Sequence, residues 1–260
     1  FKISVYFIIT IACITILAPF SIDAYLPAVV DIAIGLDTSD NLVQLSIAVF
    51  LLGFSVGPLF FGPLSDSIGR KKLIFFSLLS FSVFSFLCSL SNNIFLLIFF
   101  RFFQAVSGSV STVCGRAAIA DLLSGNELAK TYSFLGLILT IAPIIAPLIG
   151  GWINDILGWR FIFLFMTIFG LIFFLISFMN VKETLKTENR TKFKINSIFA
   201  SYLVILKNKK ALFYILFLSS SSAVFFAFLT ASPFLYINKF NLTPIEYSYV
   251  FGAGAMIAAL

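Results

Sequence analysis

The chain has 260 residues, of which 60% are hydrophobic and only 11% charged, with a mean hydropathy of +1.09. A soluble domain carries about a quarter charged residues, so a soluble globular protein is excluded and an all-α polytopic membrane protein is indicated. The formal net charge of +6 does not point to nucleic acid, because Lys and Arg collect in loops beside apolar runs and form no basic face interleaved with aromatics.

The absence of histidine removes the commonest general base, the usual catalytic triads and every His-containing metal site. Cys13, Cys88 and Cys114 fall inside or at the edge of apolar runs without paired spacing, and read as small hydrophobes. Transport is therefore expected instead of bond chemistry, with no cofactor and no metal.

A window of about 20 residues gives spans near 5–30, 41–63, 72–90, 94–117, 129–152, 159–180 and 209–237, with an eighth starting near 244. The run at 5–30 exceeds the roughly 7–15 apolar residues of a secretion signal, so it reads as the first span. The chain starts at Phe1 without methionine and stops at Leu260 inside an apolar stretch, which reads as a fragment of a longer protein.

Within the first span, Asp23 lies between Pro19 and Pro27. A carboxylate inside an apolar helix costs several kcal/mol unless it is protonated, paired or facing water. Dry surroundings favour the neutral acid and a nearby cation favours the anion, so alternating between the two would let Asp23 bind and release a proton. The prolines disrupt the helical hydrogen-bond ladder and can bend the span around a cavity, and a structural carboxylate capping a broken helix is the competing reading. Tyr25, two residues on, is expected to face that cavity.

Between the second and third spans stands Gly62-Pro-Leu-Ser-Asp-Ser-Ile-Gly-Arg-Lys-Lys72. Here Gly62 is expected to end a helix, Asp66 to cap or pair, Gly69 to permit a tight reversal, and Arg70, Lys71 and Lys72 to mark a cytoplasmic face. Gly53 and Gly57, four apart in the second span, are assigned to helix packing.

Arg101 is the other charge within a span. At about 1.5 Å rise per residue, Asp23 lies roughly 9 Å and Arg101 roughly 7 Å on the outer side of the midplane. The two charges share a level, and Arg101 is expected to tune Asp23 directly or through Gln104 and water. Snorkelling of Arg101 to the outer headgroups is the alternative.

The segment 181–208, rich in Lys, Glu, Thr and Asn, is the one long polar stretch. Lys2, Arg70–Lys72, Lys130 and the basic residues from Lys182 to Lys210 all fall on one side of the spans, with Arg160 and Lys239 on the other. This asymmetry puts the N-terminus and 181–208 in the cytoplasm, and the loop with Asp31, Asp37 and Asp40 outside. The domains expected are a six-span unit at 1–180, a cytoplasmic linker at 181–208 and a truncated second unit at 209–260. This is the plan of a transporter whose two halves rock about a midplane site.

The Gly62 to Lys72 loop resembles the loop between the second and third spans of the major facilitator superfamily, with matches at Gly62, Leu64, Asp66, Gly69, Arg70 and Lys71. Further stretches resemble the Bcr/CflA family of drug:proton antiporters. They are Ser21-Ile-Asp-Ala-Tyr-Leu-Pro-Ala28, Arg101-Phe-Phe-Gln-Ala105, Ala142-Pro-Ile-Ile-Ala-Pro-Leu-Ile-Gly-Gly-Trp152, Gly158-Trp-Arg-Phe-Ile-Phe163 and Lys182-Glu-Thr-Leu185.

The resemblance implies a facilitator fold comprising the N-terminal six-helix half, helix 7 and part of helix 8. It implies a proton-driven exporter of drug-like small molecules in a bacterial inner membrane, working as a monomer by alternating access. It also makes Asp66, Arg70 and Asp121 a charge relay that latches the outward-open state, in which Arg116 joins because Ala120 stands where the family often has arginine. Pro143, Pro147, Gly150 and Gly151 match the antiporter motif, with Ala146 in place of its usual glycine. A nutrient importer of the same fold and a non-transporting truncated product are the rival readings.

Overall fold

The computed structural model describes residues 4–191 and 193–259, with the side chains of 195–198, 258 and 259 excepted. Lys2 and Lys192, used above for topology, lie outside the described residues. Helices and short helical turns make up the regular structure of the described residues, and no strand occurs among them.

The long helices are α1 (Val5–Asp23), α3 (Asp40–Ile68), α4 (Arg70–Ser89), α5 (Ile94–Ala120), α6 (Gly125–Leu157), α7 (Trp159–Asn180) and α9 (Lys209–Phe234), with the short α2 (Val29–Gly35) between α1 and α3. Helix α8 (Ile195–Lys207) lies in the polar stretch and α10 (Pro244–Ala259) closes the described chain. Seven segments are long and apolar enough to cross a bilayer: Val5–Gly35, Asp40–Ile68, Arg70–Ser89, Ile94–Ala120, Gly125–Leu157, Trp159–Asn180 and Lys209–Lys239. Each coincides with a span expected from hydropathy. In hydrocarbon every backbone polar group must find a partner, and an unbroken helix supplies those partners within itself.

Two expected helix boundaries are corrected. Gly62 does not end the second span, because α3 runs on through Gly62 and Pro63 to Ile68. The chain reverses instead at Gly69, whose φ of +101° leads directly into α4. Such a backbone strongly favours a residue without Cβ. In the first span, α1 continues through Pro19 and breaks after Asp23, where Leu26–Ala28 form a 3-10 turn with Pro27 inside it.

Pro63 removes the N–H that would bond the carbonyl of Leu59. That carbonyl is satisfied from outside the helix: the Tyr202 hydroxyl of α8 donates to it at 2.8 Å. Beside this bond, Phe60 and Phe199 meet edge to face at 6.5 Å. A side chain 143 residues further along thus repairs the break in the ladder of α3 and seats α8 against it.

The core lies where α1, α3, α4, α5 and α7 meet, around fully buried Ile14, Leu17, Leu78, Phe81 and Ala105. Helix α9 joins this body only near its second end. Every residue from Phe213 to Phe225 is exposed, whereas Leu229, Ser232 and Pro233 are buried. A π-helical turn at Leu235–Lys239 then follows Pro233, and Asn238 Nδ2 donates to Asp40 Oδ2 at 2.7 Å.

Candidate functional site

A cavity of about 120 Å³ opens between α1, α3, α6 and α9, lined by Ala18, Pro19, Ile22, Asp23, Phe50, Leu51, Phe54, Pro143, Phe225, Phe226 and Leu229. Asp23 is its one ionisable residue. The side chain is only 3% exposed, and no hydrogen bond or ion pair to its carboxyl occurs among the described residues. It therefore caps no helix, although it is the last residue of α1. Pro19 and Pro143 both stand in the wall, so α1, which carries Asp23, and α6 each contribute a stretch with a missing N–H.

Arg101, on α5, is fully buried and does not snorkel. One nitrogen, Nη1, donates to Gln104 Oε1 at 3.1 Å and reaches the Ser21 carbonyl and hydroxyl at 3.5 Å. Gln104 is fixed in turn by donating to Ser85 Oγ at 2.7 Å. The guanidinium carbon lies 4.3 Å from the Tyr25 ring centroid, 4.1 Å from Phe50 and 5.9 Å from Phe163. Nε and Nη2 have no hydrogen-bond partner among the described residues. Arg101 thus reaches α1 two residues from Asp23, as the depth estimate requires, but no ion pair joins them.

Tyr25 corrects an expectation. It is fully buried against Arg101, shares a 2.7 Å hydrogen bond with Ser46 of α3, and is absent from the cavity wall. The break after Asp23 rotates it away from the cavity and onto the guanidinium. Phe50 occupies the position that sequence reading gave to Tyr25, and among 35 phenylalanines no spacing signal singled it out.

The paired glycines of α6 face two different helices. A Cβ on Gly150 would strike the backbone carbonyl of Ala24, next to Asp23, while a Cβ on Gly151 would strike the Ser248 hydroxyl of α10. Pro147 and Ala146 on the same helix are buried, and Pro143 lines the cavity. Small residues therefore let α6 touch α1 on one side and α10 on the other. Trp152 Nε1 donates to the Tyr249 hydroxyl at 3.2 Å, adding a polar contact between α6 and α10.

At the far end, Arg70 pairs with Asp66 at 2.5 Å and with Asp121 Oδ2 at 3.2 Å, and it also donates to Ser65 Oγ. Thr184 donates to the same Asp121 oxygen at 2.8 Å. Glu183 accepts from the Arg70 backbone N–H at 3.0 Å, capping α4 from 113 residues away, and lies 3.9 Å from Arg190. The Thr191 N–H donates to the Asp66 carbonyl at 3.0 Å.

Gly62 is inside α3, where an added Cβ would make only ordinary contact with Val113 at 3.9 Å, and Lys71 rests on Phe75 at 5.3 Å. Arg116 corrects a second expectation: it is exposed, pairs with none of these carboxylates, and offers only its backbone carbonyl to Tyr132. The last turn of α5, which brings Asp121 to Arg70, leaves Arg116 on the exposed side. Sequence reading missed Glu183, whose role as a cap becomes visible only when 181–191 is seen lying over the Gly69 reversal.

Seven membrane-length apolar helices among the described residues, with Asp23 contributing to the wall of an otherwise apolar internal cavity, define a multi-pass membrane protein. The chain belongs to the Major Facilitator Superfamily, whose profile matches residues 11–260. This is a family of transporters and not of enzymes.

The chain is 33% identical over 250 residues to a bicyclomycin resistance protein homolog of Haemophilus influenzae, covering 96% of this chain and 63% of that protein. It is 27% identical over 242 residues to a chloramphenicol resistance protein of Pseudomonas aeruginosa, covering 93% and 57% respectively. Among solved structures, a bacterial homolog of the human lysosomal transporter Spinster, in an inward-facing and unoccupied conformation, superposes with a TM-score of 0.76. That likeness has 18% identity and covers 98% of this chain and 61% of the other, so it carries the fold alone. The chain thus spans about three fifths of the length of these proteins.

Proposed function

We propose that the protein exports drug-like small molecules across the bacterial inner membrane in exchange for protons, by alternating access, and that it does so as a monomer. The observation that carries this reading is Asp23, a buried residue whose carboxyl makes no hydrogen bond or ion pair among the described residues, in the wall of an otherwise apolar cavity. A group so placed exchanges its proton when its surroundings change between dry and wet or between neutral and cationic. The relatives named for bicyclomycin and chloramphenicol resistance support drug-like substrates.

In this reading residues 1–180 form the six-span half, 181–208 the cytoplasmic linker and 209–260 the start of the second half. Arg70 and the N-terminus face the cytoplasm. Contacts of α10 with α6, and of Asn238 with Asp40, close the outer end, while the exposed stretch of α9 borders the inner opening. Arg101 and Gln104 tune Asp23, and Asp66, Arg70 and Asp121 hold the inner latch. The electrical part of the proton gradient supplies about 2.3 kcal/mol per charge per 100 mV.

The test is chloramphenicol-driven proton movement in everted membrane vesicles containing the protein. Asp23→Asn keeps normal membrane abundance and abolishes the exchange, while Asp23→Glu retains part of it. Undiminished exchange by the Asn variant refutes the assignment. Uptake into right-side-out cells without efflux would favour the importer instead.

A further inference from the structure

Asp23 has a titratable neighbour outside its cavity wall: Tyr247 of α10 lies within electrostatic reach of its carboxyl. From α3, α6 and α9 only apolar side chains line that wall. Helix α7 meets α1 with Phe165 and Phe169 against Phe20, and Arg101 of α5 meets it at Ser21. The two glycines of α6 set the pairing with Tyr247. Gly150 seats Ala24, next to Asp23, and Gly151 seats Ser248, next to Tyr247. Adjacent residues of one helix thus bring the acid and the phenol to the same place.

Tyr247 is fully buried and shares a 2.9 Å hydrogen bond with buried Ser232 of α9. Pro233 removes the N–H that would bond the Leu229 carbonyl, and Ser232 Oγ donates to that carbonyl at 3.4 Å. With the Ser232 hydrogen so used, Tyr247 is the donor between the two hydroxyls. Its ring is held by Tyr236 and Phe251, with centroids at 6.1 and 5.7 Å. The hydroxyl hydrogen is not held, because it turns about the C–O bond to whichever acceptor binds it better. A buried carboxylate is a stronger acceptor than a serine oxygen.

We propose that Tyr247 is the positioning residue that locks the outer end closed over a deprotonated Asp23, so that the empty transporter does not turn without its proton. The proposal rests on the proton-exchange reading of Asp23. While Asp23 is a neutral acid, Tyr247 donates to Ser232 and α10 is free to part from α1. When the acid proton passes to water in the cavity, the carboxylate turns to Tyr247 and the phenol O–H leaves Ser232 to meet it. The phenol keeps its proton and changes only its acceptor. The new bond joins α10 to α1 across the contact that must part for the outer end to open. An entering substrate with its own N–H or O–H donor takes over the carboxylate, Tyr247 returns to Ser232, and the lock is released. The site thereby selects drug-like molecules that carry a hydrogen-bond donor.

An exchanger whose empty form turns both with and without a proton carries protons alone, so a broken lock appears as a leak. The test measures proton leak without drug, and chloramphenicol-driven proton movement, in everted vesicles at matched abundance of each protein. The unaltered protein leaks little. Tyr247→Phe keeps the ring and loses the O–H, and its drug-independent leak rises by about tenfold, the shift that one hydrogen bond to a charged group produces in a two-state equilibrium. Adding Asp23→Asn to that variant returns the leak to the original level. Ser232→Ala removes the competing acceptor and strengthens the lock, so it shows no added leak and slower exchange with chloramphenicol, which carries both N–H and O–H donors.

A leak in Tyr247→Phe no larger than in the unaltered protein overturns the proposal. So does a leak that survives the addition of Asp23→Asn, since protons then pass through a loosened wall. Ser232→Ala leaking like Tyr247→Phe also overturns it, because the two hydroxyls would then only pack α9 against α10. Drug-for-proton exchange that persists in Asp23→Asn alone overturns the exchange reading itself.

Discussion

Substituting the two adjacent glycines of α6 separates a defect in folding from a defect in the transport cycle. At Gly150 an added Cβ lands well inside van der Waals contact of the Ala24 carbonyl oxygen and also presses on the Ala24 carbonyl carbon at 2.7 Å and Cα at 2.8 Å. Those atoms are backbone, so relief requires α1 and α6 to move apart, and overpacking of this kind costs about 1–3 kcal/mol. Both helices belong to the proposed first half, so the penalty is present in every conformation. At about 2–4 °C per kcal/mol for a chain of this size, Gly150→Ala lowers the melting temperature by about 2–12 °C.

At Gly151 the obstacle is Ser248, on α10, whose hydroxyl donates to the Pro244 carbonyl at 2.9 Å. A methyl group there forces the hydroxyl to turn, at about 0.5–1.5 kcal/mol for the lost hydrogen bond. Gly151→Leu adds bulk that rotation cannot absorb, and it penalises only the conformation in which α6 touches α10. A penalty of about 1–3 kcal/mol shifts a two-state equilibrium by about 5–150-fold.

Buried Cys88 and Cys114 provide the assay, because a thiol-reactive fluorophore reports unfolding as they become accessible. Gly150→Ala is expected to melt early, whereas Gly151→Leu melts near the original temperature yet loses transport. Equal melting of all three proteins would refute the backbone clash at Gly150. Normal transport by Gly151→Leu would refute the α6–α10 contact as part of the cycle.

Tyr202→Phe strands the Leu59 carbonyl and lowers stability by about 1–3 kcal/mol. Combining it with Pro63→Ala restores an N–H to the ladder and recovers most of that loss, which thermal unfolding of the four proteins of the cycle measures. Glu183→Ala uncaps α4 and releases Arg190, so transport falls at unchanged membrane abundance while proteolysis within 184–191 accelerates. Glu183→Gln, which can still accept the Arg70 N–H, retains more activity. Asp40→Ala removes the acceptor of Asn238 and raises alkylation of a cysteine placed at Ser232 by an impermeant reagent added from outside, and an unchanged rate would show that this bond does not hold the outer end closed.

Seven spans, the charge asymmetry and the Gly69 reversal were legible in the sequence because each depends on local composition: an apolar run of sufficient length, loop lysines, or one residue that accepts positive φ. Asp23 and Arg101 were legible as charges in apolar helices, and even their common level followed from helical rise. Their surroundings were not. Which ring of 35 phenylalanines covers a guanidinium depends on the packing of α3 against α5, set by Gly53 at the Phe102 backbone. The cap of α4 by Glu183 and the repair of Leu59 by Tyr202 join residues more than a hundred positions apart, and no periodicity encodes either pair. Gly62 was misplaced because local rules end a helix near Gly-Pro, whereas an external donor lets α3 run on, and Tyr25 because a bend expected from Pro19 and Pro27 does not say which side of the span the next residue takes.

The aromatic surroundings of Arg101 explain why a buried cation and a buried acid can stay apart. A carboxylate partner would neutralise the guanidinium, and breaking such a buried pair is expensive, about 3–5 kcal/mol. Ring faces stabilise the cation through their quadrupoles, each contact contributing about 2 kcal/mol or more when desolvated, but they leave its charge intact. Tyr25, Phe50 and Phe163 therefore hold Arg101 in a dry place without quenching it. Arg101 is thereby held charged by Gln104 and three rings, with no carboxylate among these partners. Replacing Phe50 by Glu, which would put a carboxylate about 4–5 Å from the guanidinium in place of a ring, is expected to pair permanently with Arg101 and, under the proposed function, to lower drug export while leaving the protein folded, as thermal unfolding and export assays would read.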